Sequence, residues 1–208
     1  MAADGARRWP QLAAALQWDR GRWIWLLLIA LFLHGLLALG DSATLALRYD
    51  RAALAAGGWW RLLTAHVVHL DLHHLVLNEL GLVLMWSLFA ADFSALDWLI
   101  IVLAGALAIG SGLWWLSPGV SWYVGASGVL HTVMAAGTAQ HLITRAWDRW
   151  ILLGCLSVKL ALEQYGQATG HASPLIVVDA HLYGAITGFI GGAALCGRIV
   201  IIRHRIRP

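Results

Sequence analysis

Charged side chains are scarce in this chain, and their scarcity excludes a soluble globular fold. Asp, Glu, Lys and Arg make up 12% of the 208 residues, whereas hydrophobic residues make up 60%. Soluble domains carry roughly 25% charged residues, because their surfaces face water. A single water-facing domain could not hide so much apolar surface. The composition therefore predicts an integral membrane protein that is surrounded by the lipid bilayer.

Cysteines, repeats and cleavage signals are also few or missing. The two cysteines, Cys155 and Cys196, lie in apolar segments without the spacing of a disulfide or metal site, so we interpret them as small packing residues. No small-residue cleavage site follows the first apolar stretch, which favours a retained span over a secretory signal. No internal symmetry supports a small transporter built from inverted repeats. The net charge of +3 comes from loop ends and tails, which does not favour nucleic acid as a partner.

Six apolar segments approach the roughly 20 residues that a membrane-spanning helix needs. They cover residues 23–39, 73–90, 97–116, 126–143, 148–164 and 180–202. We therefore expect three parts: a short cytoplasmic N-terminal segment, a six-span all-α domain and a basic C-terminal tail, at 1–22, 23–203 and 204–208. Of the 14 Lys and Arg residues, all but Arg48, Arg51, Arg61 and Lys159 fall on the side of the two termini. The positive-inside rule then predicts that both termini are cytoplasmic.

Polar residues interrupt the second, fourth and sixth spans near their starts. The second begins with LHHLVLN at 72–78, the fourth with GASG at 125–128 and the sixth with DAHLYG at 179–184. Because these three spans run inward, their polar starts share one depth toward the outer face. Polar groups inside a bilayer are costly and usually mark function. The shared depth predicts a single functional site.

The serine in the GASG stretch has the surroundings of a nucleophile. A serine hydroxyl is a weak nucleophile until a base removes its proton, so Ser127 needs a nearby histidine. His131 lies on the same helix face, and His181 lies at the same depth in the sixth span. We favour His181 as the base, with His131 packed beside it to orient it. Asp179 would face nearly opposite His181 on a helix, so we interpret it as a cap or entrance residue.

Small residues follow the candidate base at intervals of four. Gly184, Gly188 and Gly192 form a stripe that lets two membrane helices approach closely, and Gly128 would meet it. Gly125 lies on the other side of the serine. Taken alone, GASG is more typical of helix packing. The catalytic interpretation depends on its combination with the polar residues at the same depth.

Acyl transfer also requires donors for the oxyanion. A serine at a helix N-terminus supplies its own backbone N–H and a favourable dipole, so the Ser127 amide is one candidate. His74 and Asn78 lie four residues apart on one face of the second span and could add side-chain donors. Hydrogen bonding between helices is the alternative role for this pair.

These motifs resemble rhomboid intramembrane serine proteases. The stretches GASG, HHLVLN and AHLYGAITG occur in the order and spacing of that family, from about residue 20 to 203, and WWRLLTAH at 59–66 resembles its first loop. The resemblance implies a six-span bundle, a Ser127–His181 dyad, an oxyanion hole of His74, Asn78 and the Ser127 amide, and no metal or organic cofactor. His131 stands where many rhomboids have a tyrosine.

The short chain, with DAHLYG and GASGVLH, is more specifically similar to rhombosortases. That resemblance implies a bacterial inner-membrane protease with its site toward the periplasm, acting on membrane-anchored proteins with a Gly-Gly tail. An inactive rhomboid-like protein that binds client spans is the alternative function. The oligomeric state stays open.

Several other polar residues have competing interpretations. His66, His69 and His73 have spacings that could gather a metal, but without an HExxH motif we expect them at a hydrophilic entrance to the site. Lys159 and Glu163 are four residues apart and predict a local ion pair. Trp122 and Tyr123 would line the substrate path or, equally, anchor their loop at the interface.

Overall fold

Helices account for most of the chain. The structure is a computed structural model that describes residues 23–171, 173 and 176–205. Its elements in chain order are α1 Ile24–Ala38, α2 Asp41–Leu47, β1 Tyr49–Asp50, α3 Arg51–Ala55, α4 Arg61–Thr64, α5 Leu72–Phe89, α6 Ala95–Leu116, β2 Trp122–Tyr123, α7 Ser127–Thr144, α8 Arg149–Ala168 and α9 Val178–Arg205. The predicted helical membrane architecture is confirmed, with one added pair of short strands.

The six segments predicted to span the membrane coincide with α1 and with α5 to α9. Their predicted ends differ from the helix ends by at most four residues. By length and hydropathy, two of the described helices qualify as spans, α5 and α6. A third qualifies if α1 and α2, which are bent by 108°, are taken together. The helix positions are therefore confirmed, and the count of six spans stays a prediction.

The predicted terminal segments fall largely beyond these helices. Residues 1–22, expected to be a cytoplasmic segment, lie outside the described residues, as do 206–208 of the expected basic tail. Helix α9 continues through Arg205, so the last helix extends past the predicted end of the sixth span at 202.

Helix α7 lies at the centre of the bundle. It contacts α5, α6, α8 and α9, and most of its side chains between Gly128 and Gln140 are buried. One apolar cluster surrounds Phe89, on the side of α5 and α6, and a second surrounds Ile109 nearer to β2. A helix with neighbours on several sides can carry small and polar residues instead of lipid-facing apolar ones.

The segment between α1 and α5 is tied to the chain that leads into α7. Strand β1 pairs antiparallel with β2, and Tyr49 lies opposite Tyr123. The guanidinium of Arg51 donates to four backbone carbonyls at the end of α6 and just after it, those of Leu113, Trp114, Ser117 and Val120. Carbonyls at a helix C-terminus have no helical partner, so Arg51 caps α6. These contacts fix the approach of the chain to Ser127.

Candidate active site

The structure brings the predicted nucleophile and base together. Ser127 is the first residue of α7, and His181 lies in the first turn of α9. The Nε2 atom of His181 is 2.8 Å from Ser127 Oγ, a hydrogen-bond distance. His181 is buried, with 5% of its surface exposed. The two side chains therefore have the geometry in which an imidazole can take the serine proton.

Close packing of α7 against α9 produces this distance. A methyl group at Gly184 would overlap the carbonyl oxygen of Gly128, and one at Gly188 would overlap the carbonyl oxygen of Thr132. In return, a Cβ on Gly128 would lie 3.0 Å from the carbonyl oxygen of Ala180. The backbones of the two helices thus touch without intervening side chains. The small-residue stripe predicted from the sequence lies at this interface.

His131 packs beside the candidate base. Its ring is stacked on that of His181, with centroids 4.2 Å apart and planes inclined by 12°. Its Nδ1 atom is 2.7 Å from the carbonyl oxygen of Ser127, one helical turn earlier. His131 therefore lies beside His181, where it was predicted. Its ring fixes one face of the His181 ring and does not point at the serine hydroxyl.

An acidic side chain completes the contacts of His181, and sequence reasoning did not assign it there. The Oε2 atom of Glu163, on α8, is 2.9 Å from His181 Nδ1. The other carboxylate oxygen pairs with Lys159 Nζ at 2.5 Å, so the predicted ion pair is confirmed. One available signal was the position of Glu163 within an apolar segment, because ionisable residues there usually have a functional partner.

Asp179 does not contact the candidate base. Its carboxylate accepts hydrogen bonds from Ser117 Oγ at 2.5 Å and from Gln167 Nε2 at 3.2 Å. Both oxygens of the Asp179 carboxylate are thus engaged by residues other than His181. The acid that does contact His181, Glu163, comes from a neighbouring helix instead.

The predicted oxyanion donors line the same cavity as the serine. His74 and Asn78 lie on one face of α5, and both contribute to the cavity wall together with Ser127. Asn78 Nδ2 donates to the carbonyl oxygen of His74 at 2.9 Å. Among the described residues, the Nδ1 atom of His74 is buried without a hydrogen-bond partner. The first N–H groups of a helix also lack helical partners, which includes the amide of Ser127.

The loop before the serine is held in a conformation that suits glycine. Gly125 has a φ angle of +111°, and a Cβ there would lie 2.6 Å from the imidazole of His74. Its amide donates to the carbonyl oxygen of Ala65 at 2.9 Å, and its carbonyl accepts from the Tyr123 hydroxyl at 2.7 Å. Burial raises the pKa of Tyr123 to about 12, so this hydroxyl stays protonated and keeps donating. Tyr123 is therefore an internal anchor of the loop, while Trp122 is exposed.

A cavity of about 410 Å³ lies between α5, α7 and α8 and reaches the Ser127–His181 pair. Apolar side chains supply much of its wall, including Leu77, Leu84, Leu130 and Leu156. A site with a polar end and apolar walls suits a segment of membrane-embedded polypeptide better than a charged small molecule.

The three histidines expected at a hydrophilic entrance do not gather there. His66 and His69 are buried, so that prediction is wrong for both, whereas His73 is exposed. His66 Nε2 is 3.2 Å from the carbonyl oxygen of Ala106, and burial lowers the pKa of His66 to about 4. The ring also packs edge-on against Tyr123. Packing against α6 and Tyr123 accounts for His66.

Within the part of the chain that the structure describes, one set of three side chains is close enough to share a metal ion, His131, Glu163 and His181. Both ring nitrogens of His181 are already in hydrogen bonds, to Ser127 and to Glu163. The stacked imidazoles also direct their nitrogen lone pairs along parallel planes instead of toward one point. The arrangement fits proton transfer better than metal coordination.

Most of the chain is similar to one known protein family. Residues 56–198, more than half of the chain, match the family model of the Rhomboid domain. No curated protein gives a significant match. Rhomboid proteases are intramembrane serine proteases that act on membrane-embedded substrates. The chain, with its apolar helices, belongs to the rhomboid family of integral membrane proteins.

Proposed function

We propose that this protein is an intramembrane serine endopeptidase that uses Ser127 as nucleophile and His181 as general base. The observation that carries this proposal is the 2.8 Å contact between Ser127 Oγ and His181 Nε2 at the end of an apolar cavity. The family match supports the same reaction class. The positions of the long helices support six spans. The distribution of Lys and Arg supports cytoplasmic termini and a site toward the outer face.

The first half of the reaction is acylation of the serine. His181 Nε2 takes the hydroxyl proton while Ser127 Oγ attacks a peptide carbonyl, and the carbonyl oxygen becomes an oxyanion. The Ser127 amide, His74 and Asn78 donate hydrogen bonds to that oxygen. His181 then gives its proton to the leaving amine, which leaves an ester on Ser127. In the second half, water attacks the ester carbonyl while it loses a proton to His181. The bond between Ser127 Oγ and the acyl carbon then breaks, and His181 returns the proton to Ser127 Oγ as the acid product leaves.

The substrate is a transmembrane or C-terminal anchor segment of a membrane-tethered protein. Such a segment must leave its helical hydrogen bonding to present a carbonyl, because a helix occupies its own carbonyls. The apolar cavity wall beside α5 and α8 supports entry from the lipid. The resemblance to rhombosortases supports Gly-Gly-tailed substrates and a bacterial inner membrane with the site toward the periplasm.

Labelling with a fluorophosphonate probe tests the proposed function. The detergent-purified protein is compared with Ser127→Ala and His181→Ala, and with Ser87→Ala as the matched control. Ser87 lies on α5, where its hydroxyl donates to the carbonyl oxygen of Val83 within the same helix. We expect labelling of the wild type and of Ser87→Ala, and none of the two site variants.

A different pattern would favour the other function of this fold. If the wild type stays unlabelled while an active rhomboid labels in the same detergent, the serine is not activated. The protein would then be a rhomboid-like binder of client helices. Labelling that persists in Ser127→Ala would place the reactive serine elsewhere and refute the assignment.

A further inference from the structure

We propose that Glu163 is a positioning residue that converts the Ser127–His181 pair into a Ser–His–Glu triad. This inference rests on the proposed function of the pair. Its central observation is that both nitrogens of one buried imidazole are engaged, Nε2 with Ser127 Oγ at 2.8 Å and Nδ1 with Glu163 Oε2 at 2.9 Å. Each of the three side chains comes from a different helix, namely α7, α9 and α8.

The carboxylate determines which nitrogen of His181 carries the proton. An ionised carboxylate only accepts hydrogen bonds, so Nδ1 must donate and therefore holds the proton of the neutral ring. Nε2 is then left with its lone pair toward the hydroxyl of Ser127, which is the form that a general base requires. Without an acceptor at Nδ1, the ring could carry its proton on Nε2 instead, and that tautomer cannot take a proton from the serine.

Lys159 explains how a carboxylate can lie at this depth in an ionised form. A charge removed from water is costly unless it is paired and its remaining acceptor sites are filled. Lys159, one turn earlier on α8, pairs with Oε1 and leaves Oε2 for His181. The lysine side chain is 52% exposed whereas that of Glu163 is 18% exposed, so the pair extends from the protein surface inward.

The same carboxylate stabilises the charged state that arises during the reaction. When His181 takes the serine proton, it becomes an imidazolium next to Glu163. A negative group within hydrogen-bond distance favours that cation. His131, stacked on one face of the ring, restricts its rotation but offers no charge of opposite sign. Glu163 therefore supplies a contribution that His131 cannot replace.

Kinetics of fluorophosphonate inactivation distinguish this role from a structural one. The variants are Glu163→Gln and Glu163→Leu, and the matched control is Asp148→Asn. Asp148 accepts from His141 Nδ1 at 2.8 Å at the opposite end of α7, so the control makes the same chemical change at a second histidine–carboxylate contact. We expect the maximal inactivation rate to fall at least about 100-fold in both Glu163 variants, because replacing the acid of a Ser-His-Asp triad by its amide costs on the order of 10⁴-fold in kcat. The probe concentration at half-maximal rate and the control's rate should stay within about twofold.

The tautomer of His181 gives a second readout, and its decisive measurement, on the wild type, needs no variant at position 163. In protein labelled with ¹⁵N-histidine, the signals lost in His181→Ala identify its two ring nitrogens. We expect Nδ1 to be the protonated nitrogen in the wild type at neutral pH, and Nε2 to gain proton occupancy in Glu163→Leu.

The outcomes separate this proposal from the proposed function. If Ser127→Ala abolishes labelling but both Glu163 variants are inactivated at the wild-type rate, the triad is refuted. The assignment of the protein as a serine protease would still stand. A wild-type His181 protonated on Nε2 would overturn the triad even if the variants failed to fold. Absence of labelling in the wild type would instead count against the proposed function itself.

Discussion

The packing of α7 on α9 predicts that Gly184→Ala separates the nucleophile from its base. An added methyl group would overlap the carbonyl oxygen of Gly128 and lie 3.0 Å from Thr132 Oγ1. Both obstacles belong to α7, and the carbonyl cannot move without moving that helix. Because His181 is three residues from Gly184 on α9, the two helices can relieve the overlap only by moving His181 away from Ser127.

The size of the effect follows from the contact distances. Restoring ordinary van der Waals separation requires the helices to part by about 1 Å. The 2.8 Å contact between Ser127 and His181 would then exceed hydrogen-bond distance. A misplacement of about 1 Å costs on the order of 100-fold in rate. Overpacking costs about 1–3 kcal/mol, and the better helix propensity of alanine offsets up to about 1 kcal/mol of that.

Activity should therefore be lost far more than stability. We expect the fluorophosphonate inactivation rate of Gly184→Ala to fall about 100-fold, while the melting temperature in detergent falls by no more than about 8 °C. Gly191→Ala on the same helix is the matched control, since a Cβ there meets nothing within 4 Å. An inactivation rate equal to that of the wild type in folded Gly184→Ala would refute the idea that this contact sets the Ser–His distance.

Two further predictions concern the segments around the site. Tyr123→Phe removes the donor to the buried Gly125 carbonyl and should destabilise the protein by about 1–3 kcal/mol, whereas the exposed Tyr165→Phe should leave the melting temperature unchanged. Burial lowers the pKa of His66 to about 4, so as pH falls from about 6.5 the unfolded chain binds this proton before the folded chain does. The free energy of unfolding of the wild type should fall by up to ~3 kcal/mol by pH 4. Melting temperatures measured from pH 7.5 to 4.5 should decline less for His66→Gln than for the wild type. An equal decline in the two proteins would contradict this account.

Hydropathy predicted the positions of the long helices well, because the start and end of a long apolar run mark the start and end of the helix. The largest error is at the end of α8, which was expected at 164 and continues to Ala168. Gln164 and Gln167 interrupt the apolar run there without interrupting the helix. The short helices α2 to α4 and the two-residue strands were not predicted, since elements of that length carry too few residues to show a period.

The predicted site residues share one property that sequence can reveal, which is depth along a span. Ser127, His181, His74 and Asn78 all lie toward the N-terminal ends of α7, α9 and α5, and the structure gathers them. The lateral position of each side chain depends on which helices are neighbours, and hydropathy carries no such information. His66 illustrates the limit, because a polar residue near the site was expected to face water and instead is buried against α6 and Tyr123.

The contact between Glu163 and His181 was not predicted because the sequence offered Glu163 a nearer partner. A salt bridge to Lys159, four residues away, gave a complete local interpretation of both charges. A carboxylate, however, has two oxygens and about four acceptor sites, and one ammonium group fills few of them. Within an apolar segment the remaining sites also need donors, and water is scarce there. The unsatisfied oxygen therefore implies a donor on another helix at the same depth, and His181 on the sixth span was already expected at the depth of the site.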